Sequence, residues 1–417
     1  MTVTALLARP RVLAVAMALG LAVTVLPAQP AEAASRINGT YFGMTDSDVS
    51  TFPDSRPGAV RLWDSGVTWR EIETAPGVFD FSRLDAAVNT ARSRGSDVLL
   101  VLGQTPKFHA KRPNAGSFYA PGASSAPKLT PWKAYVRKVA ARYKGRGVDY
   151  QVWNEANVPG FWSGSPAAMA ELTKVTWKVL NNVDPKAQVV APALATRLSG
   201  QRKWLRTFYA QRTGGARVER WLDVVSLNLY PLTNEGPEAS MKLLASSRSM
   251  LRAAGVTKPI WNTEINYGLQ IGGGGKARDI TRRKEAAYVA RTYVLNAAND
   301  VKRVYWYSWD LQKLANTELV YPTGALTPAG TTWSVVRSWL KGTRSLDCSR
   351  AGNGTYTCTF KYGSGVKRVY WNPSRKTSVK TVSSATRLTY QTGGSTAIRG
   401  GKRIGVDFAP VMVRSRR

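Results

Sequence analysis

Two stretches of the chain end an apolar run with a glutamate set beside tryptophan and asparagine: Gln151-Val152-Trp153-Asn154-Glu155-Ala156-Asn157 and Ile260-Trp261-Asn262-Thr263-Glu264-Ile265-Asn266-Tyr267. Taken singly, neither is specific, since a glutamate after a strand is usually solvated or paired with a cation. Two carboxylates facing each other can do more. One can protonate a leaving oxygen while the other deals with the carbon it leaves, which is the division of labour needed to cut a glycosidic bond. A gap of about 5–5.5 Å would imply retention through a covalent intermediate, and a wider gap would imply inversion.

Such a pair needs a scaffold that brings the ends of distant strands together. Apolar, β-branched runs recur at 38–44, 59–64, 97–103, 148–153, 187–192, 222–229, 258–264 and 301–307, and they suit strands buried on both faces. Amphipathic segments at 131–144, 166–182, 201–213, 237–253 and 281–298 lie between them. Ser165-Pro166 marks one helix start, and Gly255 closes another. Eight strands alternating with helices predict a closed (β/α)8 TIM barrel over 35–343, with the active site at the C-terminal ends of the strands. An open doubly wound sheet is the rival, but no glycine-rich turn follows the first strand. After about residue 343 short alternating runs replace the helical pattern, which predicts a small antiparallel β-sandwich over 344–417.

The remaining features bear on location and partners. Residues 1–34 read as a signal peptide: Arg9 and Arg11 precede an apolar run ending near Leu26, and Ala31-Glu32-Ala33 gives a small-x-small cleavage pattern. The expectation is a secreted, extracellular protein, and Cys348 and Cys358 on the arms of one hairpin would then form a disulfide. The formal net charge is +33, and residues 345–417 carry 14 Lys and Arg against two acids. That charge favours anionic partners such as a cell envelope or acidic polysaccharide. It is scattered and accompanied by no nucleic-acid-binding motif, so nucleic acid is not expected. No cofactor or metal is expected, because His109 is the one histidine and has no partner motif. His109 itself, in the loop after the third strand, either anchors that loop or contacts substrate.

Trp153-Asn154-Glu155 on strand four with Thr263-Glu264 on strand seven resembles the clan of retaining (β/α)8 glycoside hydrolases that carry the acid/base and nucleophile there. Trp69-Arg70-Glu71-Ile72-Glu73, Pro76-Gly77-Val78-Phe79-Asp80-Phe81 and Leu84-Asp85 resemble glycoside hydrolase family 39 within it. The trailing β-sandwich is similar to that family's accessory domain. The resemblance implies Glu155 as acid/base and Glu264 as nucleophile, with Asn154 binding the sugar hydroxyl beside the reacting carbon. It further implies that Arg61 and Tyr230 bond to Glu264 and keep it ionised, and that Trp306 floors the sugar subsite. Many clan members have histidine two residues before the strand-six tyrosine, where this chain has Asn228. Strict alternation would point Asn154 away from Glu155, so the backbone must leave the pleat there. The expected function is hydrolysis of a polysaccharide or oligosaccharide by a monomeric enzyme. The rivals are a transglycosylase using the same residues and a non-catalytic polyanion-binding protein on a barrel scaffold.

Overall fold

The computed structural model describes residues 35–45, 52–269, 279–309 and 317–416. The proposed signal peptide at 1–34 lies outside these residues. Eight parallel strands form the barrel: β1 (Phe42–Thr45), β2 (Ala59–Leu62), β3 (Asp97–Val101), β4 (Val148–Gln151), β5 (Val189–Val190), β6 (Val225–Asn228), β7 (Ile260–Ile265) and β8 (Arg303–Trp306). The ladder runs β6-β7-β8-β1-β2-β3-β4-β5. It closes through parallel bridges from Val190 to Val224 and from Ala195 to Asn228. All eight overlap runs picked out from the sequence, the first beginning only at Phe42 after a 3-10 turn at Gly39–Tyr41.

The helices are α1 (Ser82–Ser93), α2 (Leu129–Tyr143), α3 (Pro166–Val183), α4 (Ser199–Tyr209), α5 (Pro237–Ala253), α6 (Arg282–Ala298) and α7 (Pro328–Leu340). Starts follow local chemistry: the Ser165 hydroxyl accepts from the Ala168 amide and Thr327 from the Gly330 amide, each ahead of a proline at the first helical position. Gly255, at φ +75°, ends the connection after α5. Periodicity did not pick out α1 or α7. The buried stripe of α1 is Leu84, Ala87, Val88 and Ala91, half of it alanine and therefore a faint apolar signal.

Strand alternation sorts the core into two layers. Ala59, Leu99, Val190, Val224, Trp261 and Tyr305 meet inside the barrel as one apolar cluster. Their neighbours Val60, Leu100, Val189, Val225, Ile260, Val304 and Trp306 face outward and pack with the helices. Below the inner cluster, Arg303 pairs with Asp97 and Asp149 at 3.3 Å each and stands 4.1 Å above the Trp261 ring. Above it the interior turns polar, and that is where the site begins.

The C-terminal strands are β9 (Arg344–Arg350), β10 (Tyr356–Tyr362), β11 (Gly365–Trp371), β12 (Thr377–Lys380), β13 (Ala385–Tyr390), β14 (Ser395–Ala397), β15 (Arg403–Val406) and β16 (Val411–Ser415). Six form an antiparallel sheet, β9-β10-β11-β16-β13-β14, and β12 pairs with β15. Cys348 and Cys358 are direct cross-strand partners joined as a disulfide. This part packs on the barrel as one compact unit with it. Cys358, Phe360, Val369, Trp371 and Met412 join the barrel's outer core. The Trp371 indole donates to Glu238 at 2.8 Å, and Lys367 donates to the Ser338 and Trp339 carbonyls that end α7. Among the described residues no helix is long and apolar enough to cross a membrane.

Candidate active site

Arg61 is the centre of the polar layer. It is fully buried at the end of β2, and three of its nitrogens are committed. Nη1 donates to Glu264 at 2.5 Å, Nη2 to Asn154 Oδ1 at 2.7 Å and Nε to Gln151 Oε1 at 2.8 Å. Tyr230 donates to the other oxygen of Glu264 at 3.2 Å. Sequence-expected residues from strands two, four, six and seven therefore converge, as the barrel register requires.

Both glutamates reach the interior through breaks in the pleat. The β4 ladder ends at Gln151, and Glu155 sits at φ +39°, a left-handed conformation that a non-glycine residue adopts only when its surroundings impose it. Asn154 and Glu155 consequently turn to the same side, as the sequence reading required. On β7 the register slips between Asn262 and Ile265, so that consecutive residues Thr263 and Glu264 both face inward. Bulges next to active sites re-aim side chains in this way.

A chain of hydrogen bonds runs between the two carboxylates, and its direction is fixed. Arg61 can only donate, so Gln151 presents its oxygen to Arg61 and its amide NH2 to Ser226, 2.6 Å away. Ser226 then donates to Thr263 at 2.6 Å, Thr263 to Asn228 Oδ1 at 2.8 Å, and Asn228 Nδ2 to Glu155 at 3.1 Å. Asn228, two residues before the strand-six tyrosine, therefore bonds to Glu155. The linking roles of Gln151, Ser226 and Thr263 escaped the sequence reading because nothing marks those roles until the register sets the three side by side.

The electrostatics differ from the expectation in one respect. Burial pushes Glu264 up to about 7; Arg61 opposes the rise, and the charges of Glu155 and Asp64 add to it. The predicted ion pair is present, but it does not hold Glu264 low, because desolvation outweighs it. Burial likewise raises Glu155, against the Asn228 hydrogen bond and the attraction of Arg197 and Arg61. Asn228→Leu removes that donor, so Glu155 should rise further and the alkaline limb of kcat/KM should move to higher pH. A pH profile checks this, and an unmoved limb would exclude Glu155 as the acid.

Arg61→Met gives a related prediction. It strips Glu264 of its counter-charge, so Glu264 titrates higher still. A carboxyl group whose folded-state pKa is raised contributes stability below its unfolded value and loses that contribution as pH rises through the folded one. The variant should therefore be destabilised by about 3 kcal/mol near pH 8, the scale for breaking a buried pair, and by less near pH 5. Urea denaturation at the two pH values measures the difference.

Two expected substrate contacts lie elsewhere. Trp306 is fully buried and faces the helices, with Tyr267 and Tyr293 at 6.0 and 6.5 Å between ring centroids. Alternation explains this, since its neighbour Tyr305 takes the inward position. The strand-eight side chain that reaches the site is Tyr307, whose hydroxyl donates to Asp64 at 2.9 Å. His109 Nε2 lies 3.0 Å from Glu73, and its ring stacks on Trp69, whose indole donates to the same carboxylate at 2.6 Å. It ties the loop after β3 to the Trp69–Ile72 turn. His109→Ala should lower Tm by a few degrees with KM unchanged, as differential scanning and steady-state kinetics would show.

Asp64 and Arg197 were not anticipated. Asp64 follows β2 at φ +61° and accepts from Tyr119 at 2.6 Å as well as from Tyr307. Its position three residues beyond Arg61, at a strand's C-terminal end, was the available signal. Tyr119 belongs to the long 104–130 insertion, which walls this side of the mouth together with Phe118, Trp63 and Phe161. Phe118 is 65% exposed there. Among the described residues no cluster of His, Cys, Asp and Glu could hold a metal ion.

Comparison with known proteins agrees with this geometry. A family 39 glycoside hydrolase from Bacteroides cellulosilyticus WH2 superposes with a TM-score of 0.68 at 17% identity, covering 91% of this chain and 81% of that one. A family 39 β-xylosidase from Caulobacter crescentus gives 0.65 at 17% identity, with 93% and 98% covered. A family 30 endoxylanase from Clostridium papyrosolvens C71 gives 0.61 at 13%, with 92% and 98% covered. At these identities the likeness speaks for the fold. No curated protein matches the chain. Residues 114–333, more than half of the sequence, match the family described as glycosyl hydrolase catalytic core. The chain belongs to the glycosyl hydrolase catalytic core family, and it is a glycosidase built on a barrel like those of families 39 and 30.

Proposed function

We propose that this protein is a secreted, retaining glycoside hydrolase acting on a polysaccharide or oligosaccharide, with Glu155 as acid/base and Glu264 as nucleophile. The observation that carries the reading is the unequal setting of the two carboxylates. Glu264 is held by a cation and a phenol, Arg61 and Tyr230, which suits a group that must react as an anion. Among the described residues Glu155 accepts from one neutral side-chain donor, Asn228, which suits a group that must carry and release a proton.

In the first step Glu264 attacks the anomeric carbon as Glu155 gives its proton to the glycosidic oxygen. The carbon–oxygen bond breaks, and the sugar is left as an ester of Glu264. In the second step Glu155 takes a proton from water, whose oxygen attacks the same carbon and releases Glu264 as a carboxylate. Asn154, fixed by Arg61, is placed to bind a hydroxyl beside that carbon.

Secretion is supported by the leader-like first 34 residues and by the Cys348–Cys358 disulfide. The +33 charge supports association with an anionic envelope. The test is turnover of a panel of aryl glycosides, beginning with β-xylosides because similar barrels include a β-xylosidase and an endoxylanase. Wild type should release the aryl group, and the Glu155→Ala/Glu264→Ala double variant should not. Polyanion binding without any hydrolysis across aryl glycosides and envelope glycans would contradict the reading.

A further inference from the structure

Arg197, in the segment after β5, has no role in the chemistry above. Its backbone is nonetheless tightly placed. Ala195 bridges to Asn228 and exchanges hydrogen bonds with Asn157, two residues beyond Glu155; the Thr196 hydroxyl bonds to the Asn228 carbonyl. Arg202 donates to the carbonyls of Thr196 and Arg197. The guanidinium stands 6.0 Å above the ring of Tyr230, the residue that bonds to Glu264. Its Nη1 is buried and, among the described residues, has no hydrogen-bond partner. A charged donor left unpaired away from water is costly, and a site built around one calls for an acceptor supplied by a ligand.

We propose that Arg197 receives a carboxylate carried by the substrate on its leaving-group side, so that the preferred substrates are uronate-bearing glycans. The proposal rests on Glu155 being the acid. The acid must lie beside the departing oxygen, and Arg197 extends from the segment bonded to Asn157 and to Asn228, the donor to Glu155. A planar carboxylate matches the fork of a guanidinium, and the +33 chain concentrates acidic polymers around it.

The placement has a consequence for the reaction. Arg197 favours the ionised form of Glu155, which is the wrong form for an acid. A substrate carboxylate neutralises Arg197, so Glu155 keeps its proton more readily when the cognate leaving group is bound. Recognition and arming of the acid become one event.

The test uses the full chain in saturation-transfer NMR titrations with glucuronate and with glucose, at fixed ionic strength. Wild type should bind glucuronate about tenfold or more tightly than glucose. Arg197→Met should erase that preference, and Arg197→Lys should restore part of it. Equal binding of the two sugars, or a preference that survives Arg197→Met, would overturn the proposal, the latter as surface charge alone. On a neutral aryl glycoside, Arg197→Met should also move the alkaline limb of kcat/KM upward, a shift that a merely structural arginine would not produce. A glucuronate preference lost in Arg197→Met alongside no hydrolysis of any glycoside would uphold the carboxylate site while sinking the hydrolase reading, so the two failures are distinguishable.

Discussion

Glu264→Ala is expected to lower kcat by roughly 10⁴-fold or more, the scale on which removing a nucleophile acts, with the fold unchanged by circular dichroism. The loss should appear in kcat and kcat/KM together, because the missing bond to the anomeric carbon forms only as the reaction proceeds. Azide added to this variant can enter the space left by the carboxylate, beside Arg61 and Tyr230. It should yield a glycosyl azide of inverted configuration, because one displacement then replaces two. Kinetics on an aryl glycoside with product analysis by NMR checks both points. Turnover close to wild type would exclude Glu264 as the nucleophile.

Glu155→Gln is expected to separate the two half-reactions. With a good leaving group such as dinitrophenol the first step needs little proton donation. Attack by water still needs a base, so the glycosyl-enzyme should accumulate behind an initial burst. With a poor leaving group the loss should be about 10²–10⁴-fold. The pH profile adds a sign. The negative charge of Glu155 raises Glu264, which stands at about 7. In the active form, however, Glu155 still carries its proton while Glu264 ionises, so Glu155→Gln should leave the acidic limb in place and remove the alkaline limb, which is the ionisation of Glu155 itself. Stopped-flow kinetics and pH profiles measure these effects, and an alkaline limb that persisted in Glu155→Gln would contradict the assignment of Glu155 as the acid.

The barrel was legible because each strand is a short apolar run and both faces of such strands are buried, so composition alone outlines them. The catalytic candidates were legible because strand ends in this fold point at one cavity. Whether neighbouring residues share a face was only partly readable. Alternation required a break at Asn154-Glu155, and Glu155 at φ +39° supplies it. The same rule applied to strand eight would have turned Trp306 from the site in favour of Tyr307, which the sequence also offers as a ring for a sugar face. The β7 slip at Thr263-Glu264 leaves no mark in the sequence, since it arises from pairing with β6 and β8. Nor could side-chain types give the balance at Glu264: Arg61 and Tyr230 could be read as supporting an anion, but desolvation depends on packing from every side. His109 illustrates the converse, a residue type suited to chemistry that stacking on Trp69 and a bond to Glu73 assign to structure.

In the proposed mechanism Glu264 becomes covalently attached to the sugar. The most direct measurement uses the 2-deoxy-2-fluoro dinitrophenyl analogue of whichever aryl glycoside the enzyme turns over, followed by proteolysis and mass spectrometry. The fluorine slows both steps and the leaving group rescues the first, so the intermediate should persist. The expected result is time-dependent inactivation with one fluorosugar attached to Glu264. A label on a different side chain, or none on an enzyme that hydrolyses the parent glycoside, would contradict it.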